Sequence, residues 1–95
     1  SGFSAFSSAK FALRAVAQSM ARELGPQGIH VAHFVIDGAI DTAFIKEMFP
    51  DTYALKEKDG ILQPDSIADA YWFVHTQHRS SWTHELDLRP YMEKF

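Results

Sequence analysis

The stretch Gly28-Ile-His-Val-Ala-His-Phe-Val-Ile-Asp-Gly38 decides which fold the rest of the chain can form. Its middle, residues 29–36, is a short apolar run rich in β-branched side chains, which predicts a strand buried on both faces. A helical pattern precedes this run, so helix, short loop and strand form half of a parallel α/β unit. The loop 37–42 would then lie at the carboxyl edge of the sheet, where open α/β sheets bind ligands. Gly38 would let the backbone approach such a ligand closely.

A long helix is predicted before that strand, from Ser4 to Leu24. Its apolar side chains recur at spacings of three and four residues, which places them on one face directed at a core. They are Phe6, Ala9, Leu13, Val16, Met20 and Leu24. Other apolar residues leave only a narrow polar strip, so we expect the helix to be covered on two sides. Gly25 suits a left-handed cap and Pro26 cannot continue the helix, so both mark its end.

Three motifs, in this order, resemble the later half of a short-chain dehydrogenase/reductase. They are Gly-Phe-Ser-Ala-Phe-Ser-Ser-Ala-Lys from residue 2, Ala-Arg-Glu-Leu-Gly-Pro-Gln-Gly-Ile-His-Val from residue 21, and Asp-Gly-Ala-Ile-Asp-Thr from residue 37. The resemblance implies an α/β fold that is the carboxyl-terminal part of a Rossmann-like doubly wound parallel sheet. Residues 1–95 would be one portion of a single domain whose amino-terminal dinucleotide-binding half is absent.

The resemblance also implies a site. Lys10 would hydrogen-bond the nicotinamide ribose, and the Ile40 backbone would meet the carboxamide. The Thr42 hydroxyl would touch the carboxamide or the pyrophosphate, with Gly38 shaping the loop between them. Phe6 occupies the position of the family's catalytic tyrosine. The residues by themselves leave plainer readings open: a solvated lysine, a core phenylalanine, and a threonine that caps a helix.

Two departures from the family pattern bear on activity. Phe6 has no phenolic proton to give to a carbonyl oxygen, and loss of a general acid costs about 10²- to 10⁴-fold in rate. A nearby serine hydroxyl, or a water held by Lys10, could substitute. Asp37 stands where the family usually has proline, which alters the loop conformation while Gly38 and Thr42 stay in place.

The activity implied by the resemblance is hydride transfer between NAD or NADP and a carbonyl or alcohol of a small-molecule substrate. The chain has no glycine-rich fingerprint of the Gly-x-Gly-x-x-Gly kind, and a dinucleotide needs such a phosphate-binding turn. The segment alone is therefore predicted to be inactive and to hold the cofactor weakly. The alternative is a non-catalytic assembly module in which helices 4–24 and 66–79 join copies of the chain into a homo-oligomer.

Five further segments are predicted after the loop. They are a short helix at 43–49 ended by Pro50, a polar loop at 51–64 that is the segment most prone to disorder, a helix at 66–79, a strand at 82–88 and a tail at 91–95. Asp65 or Ser66 would cap the helix at 66–79. The residues expected on its buried side are Ile67, Ala70, Tyr71, Val74 and His75. The tail would pack on its own domain or reach across an oligomer.

Composition excludes several other functions. The 95 residues carry a formal net charge of −3 with scattered basic residues, which gives no electrostatic footprint for nucleic acid. Absence of cysteine excludes disulfides and fits a cytoplasmic protein, and no apolar run is long enough to predict a membrane span. His75, His78 and His84 are near one another in sequence, but surface histidines are usually unliganded, so no metal site is predicted.

Overall fold

A computed structural model describes residues 3–94 of the chain. Its helices and strands are, in order, α1 (Ser4–Leu24), β1 (His33–Ile36), α2 (Ala43–Met48), α3 (Pro50–Tyr53), α4 (Pro64–His75) and β2 (Glu85–Leu88). Short 3-10 helices cover Gly25–Gln27, Ala54–Lys58 and Arg79–Ser81. This order of elements confirms the predicted α/β class. The last residue of the predicted tail, Phe95, lies outside the described residues.

The two strands form a small parallel sheet. The His33 N–H donates to the His84 carbonyl at 2.8 Å, and the Asp37 N–H donates to the Leu88 carbonyl at 2.9 Å. Both strands advance by the same number of residues between these bonds, as parallel pairing requires. The strands are shorter than the predicted 29–36 and 82–88, and β1 is half-buried rather than buried on both faces. Within residues 3–94 only β2 pairs with β1, so the first residues of the predicted strand have no ladder to join.

The chain divides into two compact units. The first contains the chain as far as His33 together with Gln77–Leu86, and the second contains Phe34–Thr76 together with the residues from Asp87 onward. The division passes through both strands.

Helix α1 dominates the first unit and has the predicted bounds. Its predicted end is only partly right. Gly25 is right-handed, with φ −52°, and Gly28 takes the left-handed conformation, with φ +85°. Pro26 fits the first turn of a helix because its fixed φ is already helical. The backbone therefore stays right-handed through Gly25–Gln27 before it reverses.

The prediction that one face of α1 lies in a core is wrong for the residues that the structure describes. No side chain of α1 is buried, and Phe6, Leu13 and Val16 are each more than half exposed. The less exposed positions are Ala17, Ala21 and Leu24, of which only Leu24 belongs to the predicted face. A helix of 21 residues is about 32 Å long, and the rest of the first unit consists of two short segments that cannot cover it.

Polar and ring contacts join those short segments within the first unit. The His30 ring stacks on Trp82 with centroids 4.5 Å apart, and its Nε2 donates to the Thr83 carbonyl at 2.8 Å. The Arg14 Nε donates to Glu85 Oε2 at 2.8 Å. These contacts fix the segment before β2 without burying the apolar side chains of α1.

The second unit has the better packed interior. Ile61 and Val74 are each only 4% exposed, and Gly60 and Pro90 are also buried. The Phe34 ring stacks on Tyr71 with centroids 3.9 Å apart. This small core lies between α4, the segment before it and the residues after β2.

Several predicted bounds in the second unit need correction. Helix α2 ends at Met48 with Phe49 as its C-cap, and Pro50 begins a new helix, since proline is well suited to a first turn. The predicted polar loop at 51–64 is largely the helical segments α3 and Ala54–Lys58.

Helix α4 begins at Pro64, which is one residue before Asp65 and two before Ser66, the two predicted caps, and it ends at His75 rather than 79. The Thr76 N–H and hydroxyl both bond back to the Trp72 carbonyl, which closes the last turn. Val74 is buried as predicted, whereas Tyr71 and His75 are exposed. None of the helices within residues 3–94 has the length and apolar character needed to cross a bilayer.

Candidate functional site

Helix α1 carries the predicted catalytic pair on its solvent-exposed surface, in the first unit. Phe6 and Lys10 are four residues apart, so both side chains lie on the same face of the helix. The Lys10 ammonium lies 5.5 Å from the centroid of the Phe6 ring, a cation–π contact. Phe6 is 62% exposed, so the reading of this residue as a core side chain is wrong. The ring offers the cation an electron-rich face and offers a substrate no proton.

The predicted cofactor residues follow β1 in the second unit. Gly38 has φ +127°, a conformation that side chains rarely permit. A Cβ built on Gly38 would lie 3.0 Å from Pro90 Cδ and 3.3 Å from Glu93 Oε2. The chain's own tail therefore occupies the space for which the sequence predicted a ligand. Glycine is required here by the packing of the residues after β2.

The backbone at Ile40 is held in place by hydrogen bonds of the residues before and after it. It forms an isolated parallel bridge with Leu62, in which the Asp41 N–H donates to the Leu62 carbonyl and the Leu62 N–H donates to the Ala39 carbonyl, both at 2.8 Å. In a parallel bridge of this kind the peptide groups of the central residue point away from the partner. The N–H and carbonyl of Ile40 therefore face away from Leu62, an arrangement suited to a carboxamide that needs one donor and one acceptor.

Thr42 is a helix N-cap, as the plainer reading of the sequence proposed. Its Oγ1 accepts the Ile45 N–H at 3.3 Å at the start of α2. A capping hydroxyl uses only its acceptor lone pair, and its own hydrogen stays available for donation. The cap fixes the position of a side chain that can still bind a ligand oxygen.

An open apolar groove of about 820 Å³ adjoins this loop within the second unit. Ile40 and Thr42 line one side, and α4 lines the other with Ile67, Tyr71, Trp72 and His75. A groove of this size, mostly apolar with a few polar groups, has the character of small-molecule sites in proteins. Both loop residues predicted to touch a cofactor therefore lie at the edge of a cavity.

Ion pairs surround the loop 37–42. The Arg89 Nη1 donates to Asp37 Oδ2 at 2.8 Å, and its other terminal nitrogen pairs with Asp87. The Lys56 Nζ lies 2.9 Å from Asp41 Oδ2 and 3.5 Å from the Tyr53 hydroxyl. The hydrogen bond to Asp41, followed by the one to Tyr53, raises the pKa of Lys56 above its ordinary value of 10.5.

Sequence reasoning missed Arg89, Lys56 and Pro90 as neighbours of the loop. One signal could have found the first and the last: parallel strands end at the same edge of a sheet, so Arg89-Pro90 after β2 lies beside Asp37-Gly38 after β1. Lys56 carried no such signal, because its segment was predicted to be an irregular loop.

The histidines His75 and His78 have unrelated surroundings. His75 lines the groove, and the Nδ1 of His78 accepts the Ser80 N–H at 3.1 Å, capping the turn at Arg79–Ser81. Among residues 3–94, no three histidine, aspartate or glutamate side chains converge in a way that could hold a metal ion.

Comparison with known proteins identifies a structural relative. No family profile and no curated protein matches the sequence at a significant level. Among solved structures, the short-chain dehydrogenase from Rhodopseudomonas palustris is 46% identical and superimposes with a TM-score of 0.61 over 96% of this chain. The chain spans only 32% of the length of that dehydrogenase. Over nearly its whole length, then, the chain is similar in sequence and in fold to about a third of a short-chain dehydrogenase.

Proposed function

We propose that this chain supplies the lysine-bearing helix and the cofactor loop of an NAD(P)-dependent oxidoreductase of the short-chain dehydrogenase/reductase type. The observation that carries the proposal is the 46% identity to a short-chain dehydrogenase over 96% of the chain. The reaction would be hydride transfer between a nicotinamide cofactor and a carbonyl or alcohol, with the cofactor supplying or accepting the hydride.

The loop of the second unit supports this proposal. The Ile40 peptide groups point away from Leu62, the Thr42 hydroxyl is fixed by its cap, and both residues line one cavity. The Ile40 backbone would meet the carboxamide, and the Thr42 hydroxyl would touch the carboxamide or the pyrophosphate, with Gly38 holding the turn between them and β1. Lys10, on the exposed face of α1, would bind the ribose hydroxyls.

Phe6 sets the expected rate of such an enzyme. With phenylalanine at this position the carbonyl oxygen receives no proton from the helix, and the reaction is slowed by about 10²- to 10⁴-fold. Restoring a phenol four residues before Lys10 would place the hydroxyl near an ammonium that stabilises its anion.

The test places this segment, with Phe6→Tyr, into the matching third of the Rhodopseudomonas palustris dehydrogenase and measures oxidation of NADH and NADPH with a panel of carbonyl compounds. The expected result is a rate gain of about 10²-fold or more over the same chimera with Phe6. Phe11→Tyr is the matched control, because Phe11 is an equally exposed aromatic residue of α1, and it should change nothing. A chimera that binds NAD(P)H but gains no rate from Phe6→Tyr would contradict the proposal.

A second candidate is a non-catalytic assembly module that forms a homo-oligomer through residues 4–24 and 66–79. The exposed apolar side chains favour it: Phe6, Leu13 and Val16 on α1, and Trp72 and Phe73 on α4. Exposed apolar side chains that form a contiguous patch commonly mark a protein–protein interface.

Sedimentation of the chain over a hundredfold concentration range tests the second candidate. Leu13→Glu should lower the average mass if α1 joins copies, whereas Gln18→Glu, on the polar strip of the same helix, should not. An unchanged mass for Leu13→Glu would contradict assembly through α1.

A further inference from the structure

The loop 37–42 contains two carboxylates, and each is paired with a cation from a distant segment of the same unit. Asp37, at the start of the loop, meets Arg89, which follows β2. Asp41, near its end, meets Lys56, which follows α3. Between them lie Gly38, which packs against Pro90, and Ile40, whose backbone would meet a cofactor.

Asp37 is fixed by both its backbone and its side chain. Its N–H donates to the Leu88 carbonyl at 2.9 Å, and its carboxylate accepts from Arg89 Nη1 at 2.8 Å. A proline here, as in the resembled family, could make neither bond. Arg89 is itself oriented by Asp87 and its side chain is only 19% exposed, so the guanidinium is held in place before it meets the loop.

Asp41 is fixed in a parallel way at the other end of the loop. Its N–H donates to the Leu62 carbonyl at 2.8 Å, and its carboxylate lies 2.9 Å from Lys56 Nζ. The Asp41 side chain is 21% exposed and the Lys56 side chain 44% exposed, so the pair lies partly in solvent and salt screens it in part. The residue that follows, Thr42, caps α2, so the end of the loop is tied to three neighbours.

We propose that Asp37–Arg89 and Asp41–Lys56 are positioning pairs that hold the two ends of the cofactor loop, and that they replace the rigidity a proline would give. The pairs also neutralise both carboxylates of the loop. An anionic dinucleotide that reached Ile40 and Thr42 would otherwise be repelled by them. That the two pairs hold the loop follows from the geometry of this chain. That they assist cofactor binding rests on the proposed function.

Hydrogen exchange of three backbone amides reports the two ends separately. The Asp37 amide reports the first end and the Asp41 and Leu62 amides report the second, since each of their hydrogen bonds joins the loop to a neighbouring segment. Arg89→Gln should speed exchange at Asp37 by about 1.5- to fivefold, and Lys56→Gln should do so at Asp41 and Leu62. Lys58→Gln, at an exposed lysine of the same short helix as Lys56, is the matched control.

Two further measurements separate charge pairing from general loosening. Arg89→Lys should retain part of the protection at Asp37, and added salt should speed exchange in the wild type more than in Arg89→Gln. Unchanged exchange at Asp37 in Arg89→Gln, or equal acceleration at both ends, would overturn the positioning pairs.

The consequence for the cofactor is measured independently, by NADH and NADPH fluorescence with the chimera described above. Arg89→Gln should weaken cofactor binding more than Lys58→Gln does. If Arg89→Gln loosens the loop but leaves cofactor affinity unchanged, the positioning pairs stand and the proposed contact between loop and cofactor is wrong.

Discussion

Helix α1 and the loop 37–42 stand in contrast. The helix is a 21-residue apolar element that keeps its shape through its own backbone and buries none of its side chains among the described residues. The loop has six residues and almost no regular structure, yet its glycine, both its carboxylates and its threonine each have a defined partner. Helix α1 therefore has the stronger sequence pattern, whereas the loop 37–42 makes the more specific tertiary contacts.

The contrast teaches that hydrophobic periodicity predicts a helix more reliably than it predicts burial. A helix satisfies its backbone by local hydrogen bonds, whereas burial needs covering surface that the helix does not itself provide. A loop has no such local solution and must find its partners elsewhere in the chain.

The largest effect is expected in the core of the second unit. Ile61→Ala should lower the free energy of unfolding by about 2–5 kcal/mol, because a buried isoleucine leaves a cavity. Ile29→Ala, at a residue of the first unit that is 47% exposed, should cost less than about 0.5 kcal/mol. Urea unfolding followed by circular dichroism measures both, and equal losses would show that the first unit has a hidden core.

Gly38→Ala comes next, with an expected loss of about 1–3 kcal/mol in the free energy of unfolding from a strained backbone. The new Cβ would also lie against Pro90 at 3.0 Å. Gly25→Ala is the control, because Gly25 is right-handed and has open space around it. That change should be neutral or stabilise the chain by up to about 1 kcal/mol. If both substitutions cost the same, the tail does not pack on the loop.

Thr42→Ala removes the cap of α2 and should cost about 1 kcal/mol in the free energy of unfolding. Thr42→Ser retains the accepting oxygen and should recover most of that loss. Helix α1 has no side-chain cap at its start. The measurement therefore tests whether the short helix α2, unlike the long helix α1, depends on its capping side chain. A loss shared by Ala and Ser would assign the effect to the methyl group.

The smallest effect is a pH dependence at Lys56. The pKa of Lys56 is raised above 10.5 in the folded chain by Asp41 and Tyr53. Its contribution to stability is therefore complete below the unfolded pKa and is lost as the pH rises through the folded one. Wild type should therefore lose more stability than Lys56→Gln as the pH rises above about 10.4, the ordinary pKa of lysine. Coincident stability curves would show that the pair with Asp41 is not formed in solution.

Local signals were enough for several features. The bounds of α1, the cap at Thr42, the α/β order and the resemblance to short-chain dehydrogenases follow from residues within a few positions of one another. The strands were predicted too long, because apolar composition continues into residues 29–32, where no strand pairs with them. The left-handed turn was placed at Gly25 instead of Gly28, because either glycine satisfies the local pattern.

Partners distant in sequence could not be predicted in this way. Asp37 and Arg89 are 52 residues apart, and Asp37 taken alone appeared only as a departure from a proline. Asp37 has a structural role only because Arg89, which follows β2, lies beside the end of β1 and pairs with its carboxylate.

Local sequence patterns were sufficient to predict the long helix α1, the α/β class and the likeness to one portion of a dehydrogenase, because backbone hydrogen bonding and short motifs act over a few residues. Only the tertiary structure decided that the apolar face of α1 stays open within the first unit. It also decided that Pro90 lies against Gly38 and that Arg89 and Lys56 hold the two ends of the loop. Those outcomes depend on which distant segments the parallel pairing of β1 and β2 brings together, and no local pattern records that choice.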